Sequence, residues 1–186
     1  KQFFFIIDEI NRGNLSKIFG ELMMLIEADK RSKDWAIKLT YAESEEDRFY
    51  VPDNLYIIGT MNTADRSLAL VDYALRRRFA FCDVMPCINN DKFVEFLESQ
   101  NVSQSLIADI QQTIGGINQA ICDDRNLGAG FQVGHSYFCT YDGQMDERQW
   151  FHEVVKYEIR PLLEEIWFDD TDKVEQLLPR REGVAA

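Results

Sequence analysis

The sequence predicts an α/β fold: a partial parallel sheet with flanking helices, followed by a mostly α-helical domain. Three observations predict it. Two short apolar runs, Phe3 to Ile7 and Leu55 to Met61, each stop abruptly in polar residues, the pattern of strands buried on both faces of a parallel sheet. Between them, apolar residues recur at helical spacing. From Pro86 onward, β-branched runs give way to helical periodicity over 91–99, 103–122 and 147–167. The chain therefore divides into an α/β part over 1–86 and a helical part over 87–186.

Taken in order, Phe3 to Ile7 is aromatic and β-branched, as a strand requires, and ends at Asp8 and Glu9. Asn11-Arg12-Gly13-Asn14 is turn chemistry, after which Leu15, Ile18, Phe19, Leu22, Leu25 and Ile26 fall on one face of a helix running to Ala28. Trp35 to Tyr41 and Arg48 to Val51 read as two strands of an exposed hairpin around the acidic run Glu43 to Asp47. Pro52-Asp53-Asn54 breaks the chain before the second buried strand. A helix from about Leu68 to Arg77 and a third short strand over Phe79 to Phe81 complete the first part. In the second part, Asn126 to Gly130 separates two helices, and a tail begins at Arg180.

Acidic residues number 32 against 20 basic ones, a formal charge of −12. That balance argues against a general nucleic-acid-binding surface, which needs clustered Lys and Arg. No apolar run approaches the roughly 20 residues of a membrane-spanning helix, and the opening residues have neither the apolar length nor the cleavage site of a signal peptide. The chain starts without Met, directly in strand-like sequence, and reads as part of something longer. Cys82, Cys87, Cys122 and Cys139 have no zinc-site spacing and read as reduced core thiols of a cytoplasmic protein. His135 and Cys139 are two ligands where a tetrahedral site needs four.

In open α/β sheets, ligands bind beyond the carboxyl ends of the strands. Asp8 and Glu9 occupy one such end. Such a pair either divides a role, one carboxylate holding a hydrated Mg²⁺ and the other activating water, or caps the next helix. Asn62 occupies the other end, as an amide that positions a water or as an ordinary turn residue. Arg76-Arg77-Arg78 is the densest basic cluster in the chain. Successive helical residues lie about 100° apart, so the three cannot address one point. Asp72, four residues before Arg76, is its expected partner, leaving Arg77 and Arg78 for outside contacts or for the helix C-terminus.

These residues also carry a resemblance. Phe4 to Asn14, containing Ile7-Asp8-Glu9-Ile10-Asn11-Arg12-Gly13, resembles a Walker B segment. Gly59-Thr60-Met61-Asn62-Thr63-Ala64-Asp65-Arg66-Ser67 and Tyr73-Ala74-Leu75-Arg76-Arg77-Arg78-Phe79 resemble sensor 1 and the arginine-finger region. Gly134 to Cys139 and Leu162 to Asp170 are similar to a lid domain. Together they resemble the AAA+ motor subunits of McrBC-type 5-methylcytosine-specific restriction systems, whose nucleotide is GTP rather than the usual ATP. The resemblance implies an AAA+ parallel sheet followed by a helical lid. It implies Mg²⁺ held by Asp8 through water, Glu9 activating the attacking water, and Asn62 orienting it. Arg77 and Arg78 would act in the neighbouring subunit's site, where such fingers are worth roughly 10³ to 10⁵ in rate. Asp65 and Arg66 would contact that neighbour, and His135 or Ser136 would approach the nucleotide, unless His135 is buried in the lid core. A hexameric ring, a McrC-like nuclease subunit and DNA, reached through parts outside this chain, are the implied partners.

Two other readings compete: a MoxR-like ATP-dependent chaperone or remodelling protein, and a catalytically idle interaction domain. The sequence contains no Gly-x-x-x-x-Gly-Lys-Ser/Thr; Gly128 to Ser136 places five residues between Gly128 and Gly134 and His135 where the Lys belongs. The phosphate cradle is therefore expected upstream of Lys1. Calorimetric titration of the 186-residue chain with Mg²⁺ and GTP is expected to show no micromolar binding, and a micromolar isotherm would refute that expectation.

Overall fold

The computed structural model describes residues 1–44, 47–62, 64 and 73–178. The chain forms two compact units, Lys1–Asp83 and Val84–Ala186. In the first, the elements are β1 (Phe3–Ile7), α1 (Leu15–Phe19), β2 (Ile37–Lys38), β3 (Arg48–Phe49), β4 (Leu55–Gly59) and α2 (Tyr73–Arg76). β1 and β4 pair in parallel, with Phe3 opposite Leu55 and Ile7 opposite Gly59. Parallel partners need a long crossover, and residues 8–54 supply it, carrying the small antiparallel ribbon of β2 and β3. Phe19, Leu25, Ile26, Val51 and Leu75 form the core, with Ile7, Ile10 and Ile57 packed against it.

Four expectations change here. The helix predicted to Ala28 is α-helical only to Phe19, because Gly20 takes φ 46°, ψ −121°, outside helical space and open mainly to glycine. A 3₁₀ turn over Gly20–Met23 follows, and this re-aiming buries the adjacent Leu25 and Ile26 together. β1 is not enclosed on both faces: Phe4 is 61% and Ile6 65% exposed, since its pairing with β4 covers an edge and not a face. Phe79 to Phe81 form no strand, because the N–H groups of Arg78 and Phe79 both return to the Leu75 carbonyl and close a tight turn. Of the helix expected from Leu68, residues 73–76 are seen as α2 and residues 68–72 lie outside the described set, as do Asp72, Asp65, Arg66 and the tail from Arg180. The cysteines are free thiols, but all four are exposed rather than in the core.

The second unit contains α3 (Asp91–Ser99), α4 (Gln104–Asp123), α5 (Glu147–Val154), α6 (Arg160–Ile166) and α7 (Thr171–Leu177). Side-chain caps start the first three: Asn90 accepts from Lys92 N–H, Ser103 from Leu106 N–H, and Asp146 from Arg148 and Gln149 N–H. Ile107, Ile110, Ile114, Ile117 and Ile121 form one buried stripe along α4. Phe138, Trp150, Ile159, Leu163 and Trp167 complete that core. The buried Asn118 amide donates to the Val133 carbonyl at 3.0 Å and accepts from its N–H at 2.6 Å, satisfying both peptide groups of a segment outside any helix. α5 and α6 are joined by a π-helical turn, Val155–Ile159, in which Arg160 N–H reaches the Val155 carbonyl. Pro161 follows directly with no N–H of its own and a ring that crowds an α-helical carbonyl, and the wider turn accommodates both. No helix among the described residues is long and apolar enough to cross a membrane.

One polar knot fastens the end of α4 to α7. Asp124 accepts from Lys173 Nζ at 2.7 Å, Trp167 Nε1 at 2.8 Å and Asn126 N–H at 2.9 Å. Lys173 also lies 4.4 Å from the centre of the Trp167 ring. The Lys173 ammonium, then the Asn126 amide and the indole, hold the Asp124 carboxyl well below the usual carboxylate range. A depressed folded-state pKa contributes stability that is present above the unfolded value of about 3.9 and is lost as pH falls towards the folded value. Thermal melts between about pH 2 and pH 7 should therefore show Asp124→Asn melting several degrees lower at neutral pH, with a shallower acid limb than the parent.

Candidate functional site at the carboxyl ends of the parallel strands

Because Ile7 pairs with Gly59, the residues that follow the two strands emerge side by side. The Thr60 N–H donates to the Ile7 carbonyl at 3.0 Å and the Ile10 N–H to the Thr60 carbonyl at 2.9 Å, extending the ladder past the strands. The Thr60 hydroxyl accepts from the Glu9 N–H at 3.2 Å and donates to Asp8 Oδ1. Glu9 sits in the left-handed region at φ 50°, ψ 46°, a conformation a non-glycine residue keeps only where its surroundings over-determine it. Its carboxylate pairs with Arg12 Nε at 2.6 Å. Asn11 Nδ2 donates to the Asn62 carbonyl at 3.3 Å, tying the two strand ends together a second time. The Asn62 side chain accepts from Ala64 N–H at 3.0 Å, an Asx turn that leaves its Nδ2 for an oxygen ligand.

The structure thus brings Asp8, Glu9 and Asn62 to one edge. Asp8, with Oδ1 taken by Thr60, offers Oδ2 to a cation. No group of three or more His, Cys, Asp or Glu is gathered for a metal among the described residues. One carboxylate suits Mg²⁺, which keeps several waters and binds jointly with substrate phosphates, and does not suit zinc.

The arginines separate. Arg77 is exposed. Arg78 has a side chain 13% exposed and donates from Nη2 to Glu27 Oε1 at 2.5 Å. Lys30 binds the other Glu27 oxygen, and Lys30 foremost, with Arg78, holds the Glu27 carboxyl below its ordinary range against the opposing effect of burial. Arg31 fastens the same segment by donating to the Ile26 carbonyl at 2.9 and 3.1 Å and to the Leu55 carbonyl at 2.5 Å. The Arg76 guanidinium lies 5.5 Å from the centre of the Phe81 ring.

In the second unit, His135 is half-buried: its Nδ1 accepts from the Cys87 N–H at 3.2 Å and its ring meets Phe93 edge-on. Nδ1 is thereby an acceptor and the ring proton sits on Nε2. Ser136 is exposed. Gln132 borders a cleft of 450 Å³, and its Oε1 is buried with no hydrogen-bond partner among the described residues. Gln132 therefore carries a buried acceptor that no described residue satisfies. Sequence reasoning missed Thr60, Arg12 and Glu27. Thr60 was read inside the strand run Leu55 to Met61, which in the structure ends at Gly59, and no local pattern links Glu27 to Arg78 across 51 positions.

The family model for an AAA domain of the dynein-related subfamily matches residues 1–79, and that for the McrB alpha-helical lid domain matches residues 109–175. The chain is 53% identical over 176 residues to the type IV methyl-directed restriction enzyme EcoKMcrB subunit of Escherichia coli K12, covering 93% of this chain and 38% of that protein. It is 31% identical over 88 residues to the type II restriction enzyme BsuMI component YdiS of Bacillus subtilis 168, covering 42% of this chain and 26% of that protein. The chain thus spans well under half the length of these relatives.

Replacing Glu27 by Gln removes the charge that Arg78 and Lys30 share. Amide hydrogen exchange is expected to quicken at residues 26–31 and 75–79 while the α4 amides keep their protection. Unchanged exchange in both segments would show that the ion pair does not hold them.

Proposed function

The chain belongs to the McrB-like AAA+ proteins, joining an AAA domain to a McrB-type helical lid, and we propose that it forms part of a nucleoside triphosphatase that powers restriction of modified DNA. The observation that carries the reading is the placement of Asp8, Glu9 and Asn62 at the adjacent carboxyl ends of β1 and β4. The McrB-type lid favours this reading over a MoxR-like chaperone.

GTP, or ATP, would supply the phosphoanhydride to be cleaved, and Mg²⁺, held through a shell water by Asp8 Oδ2, would offset the charge of its phosphates. Glu9 takes the proton of the attacking water once its carboxylate turns from Arg12, and Asn62 Nδ2 orients that water. Arg77, exposed beside the anchored Arg78, reaches the nucleotide site of the next subunit in a homo-oligomeric, hexameric ring and offsets charge developing on the transferred phosphoryl group. In the lid, nucleotide contact is assigned to His135, with Nδ1 spent on Cys87, and to the exposed Ser136. DNA and a McrC-like nuclease subunit are the partners of the complete polypeptide.

In the complete polypeptide, Glu9→Gln should lower kcat by about 10² to 10⁴ and leave nucleotide affinity unchanged. Arg77→Ala should cost about 10³ or more. Because one defect lies in a subunit's own site and the other in its neighbour's, mixing the two variants should restore turnover that neither shows alone. Mixtures no more active than their components would refute action between subunits, and full turnover of Glu9→Gln would refute the assignment of the base.

A further inference from the structure

We propose that Thr60 is the positioning residue of the acidic pair, setting Asp8 and Glu9 through its one hydroxyl. The inference rests on the reading of Asp8 and Glu9 given above. Four consecutive residues are each held by a different group of Thr60: Ile7 by its N–H, Asp8 by its hydroxyl proton, Glu9 by its hydroxyl oxygen and Ile10 by its carbonyl. The two peptide bonds extend the β1/β4 ladder and would survive any residue but proline at this position. The two hydroxyl bonds depend on the side chain.

A threonine hydroxyl has one proton, and here it goes to Asp8 Oδ1, which fixes the carboxylate's rotation and leaves Oδ2 to face a hydrated cation. The acceptor side takes the Glu9 N–H at 3.2 Å, at the residue whose φ of 50° requires outside support. The far end of Glu9 is held separately by Arg12. Thr60 therefore fixes where the Glu9 side chain starts, and Arg12 fixes where it rests. Thr60 touches no reacting atom; it acts through two residues that do. Valine matches threonine in shape and β-branching but deletes both hydroxyl bonds, whereas serine keeps both.

The test uses the complete polypeptide with Thr60→Val, Thr60→Ala and Thr60→Ser beside Glu9→Gln. Without nucleotide or Mg²⁺, the Glu9 amide should exchange faster in the Val and Ala variants than in the parent and the Ser variant. With them, Val and Ala should lose about 10- to 100-fold in kcat, the usual effect of removing a group that orients a metal-binding residue. They should need more Mg²⁺ for half-activation and bind nucleotide as the parent does, and Ser should restore all three readouts. If Val unfolds, the Ala and Ser comparison decides. Parental exchange, kcat and Mg²⁺ dependence in a folded variant without the hydroxyl overturns the proposal, as does a loss that Ser does not restore. If Glu9→Gln itself keeps full turnover, the failure belongs to the underlying reading and not to Thr60.

Discussion

Everything placed at the site depends on one register: Ile7 opposite Gly59 in a parallel pair. Side chains alternate along a strand, so a slip of one position would send the residues after β1 and β4 to opposite faces. Held in register, Asp8, Glu9 and Asn62 leave the sheet together, and the Thr60 peptide carries the ladder one step beyond the last strand residue. Ile10 completes the arrangement from beneath. It packs so closely against Gly59 that a Cβ there would lie 2.8 Å from its Cδ1, so a larger residue at the end of β4 would have to displace the Ile10 side chain.

The basic residues show how an acidic chain uses its few positive charges. Lys30, Arg31 and Arg78 gather around the segment from Ile26 to Lys30, two of them on Glu27 and one on backbone carbonyls. A guanidinium as enclosed as that of Arg78 needs a paired anion, because an unpaired charge out of water is costly. Its neighbour Arg77, in the same turn after α2, stays exposed. Two consecutive arginines thus have opposite duties, one bound to the fold and one facing outward.

Local sequence made much of this legible. The run Phe3 to Ile7 and its counterpart at Leu55 identified both parallel strands, and the polar breaks after them located the acidic pair and Asn62. The periodicity of 91–99 coincides with α3, and the isoleucine stripe of α4 reads directly as a buried face. The departures have separate physical origins. A helical pattern continued past Gly20, but a positive φ there overrode it, since apolar spacing says nothing about backbone sign. A strand pattern in Phe4 and Ile6 states what the side chains are suited to meet, not which neighbours this chain provides. Contacts such as Glu27 with Arg78 arise only when the fold closes, and no spacing rule reaches across the crossover that joins them.

The π turn between α5 and α6 has a consequence for how the second unit tolerates change. Along that rod the buried residues are Trp150, Val154, Ile159 and Leu163, a series whose middle step is one residue longer than an α-helical face permits. An α-helix through this stretch would swing everything after Val154 by about 100° and carry Ile159 and Leu163 off the core. The wide turn absorbs the surplus residue and restores the phase. Two amphipathic stripes composed out of step with each other thereby share one interior, and the rod behaves as a spliced pair of helices whose joint lies just ahead of Pro161.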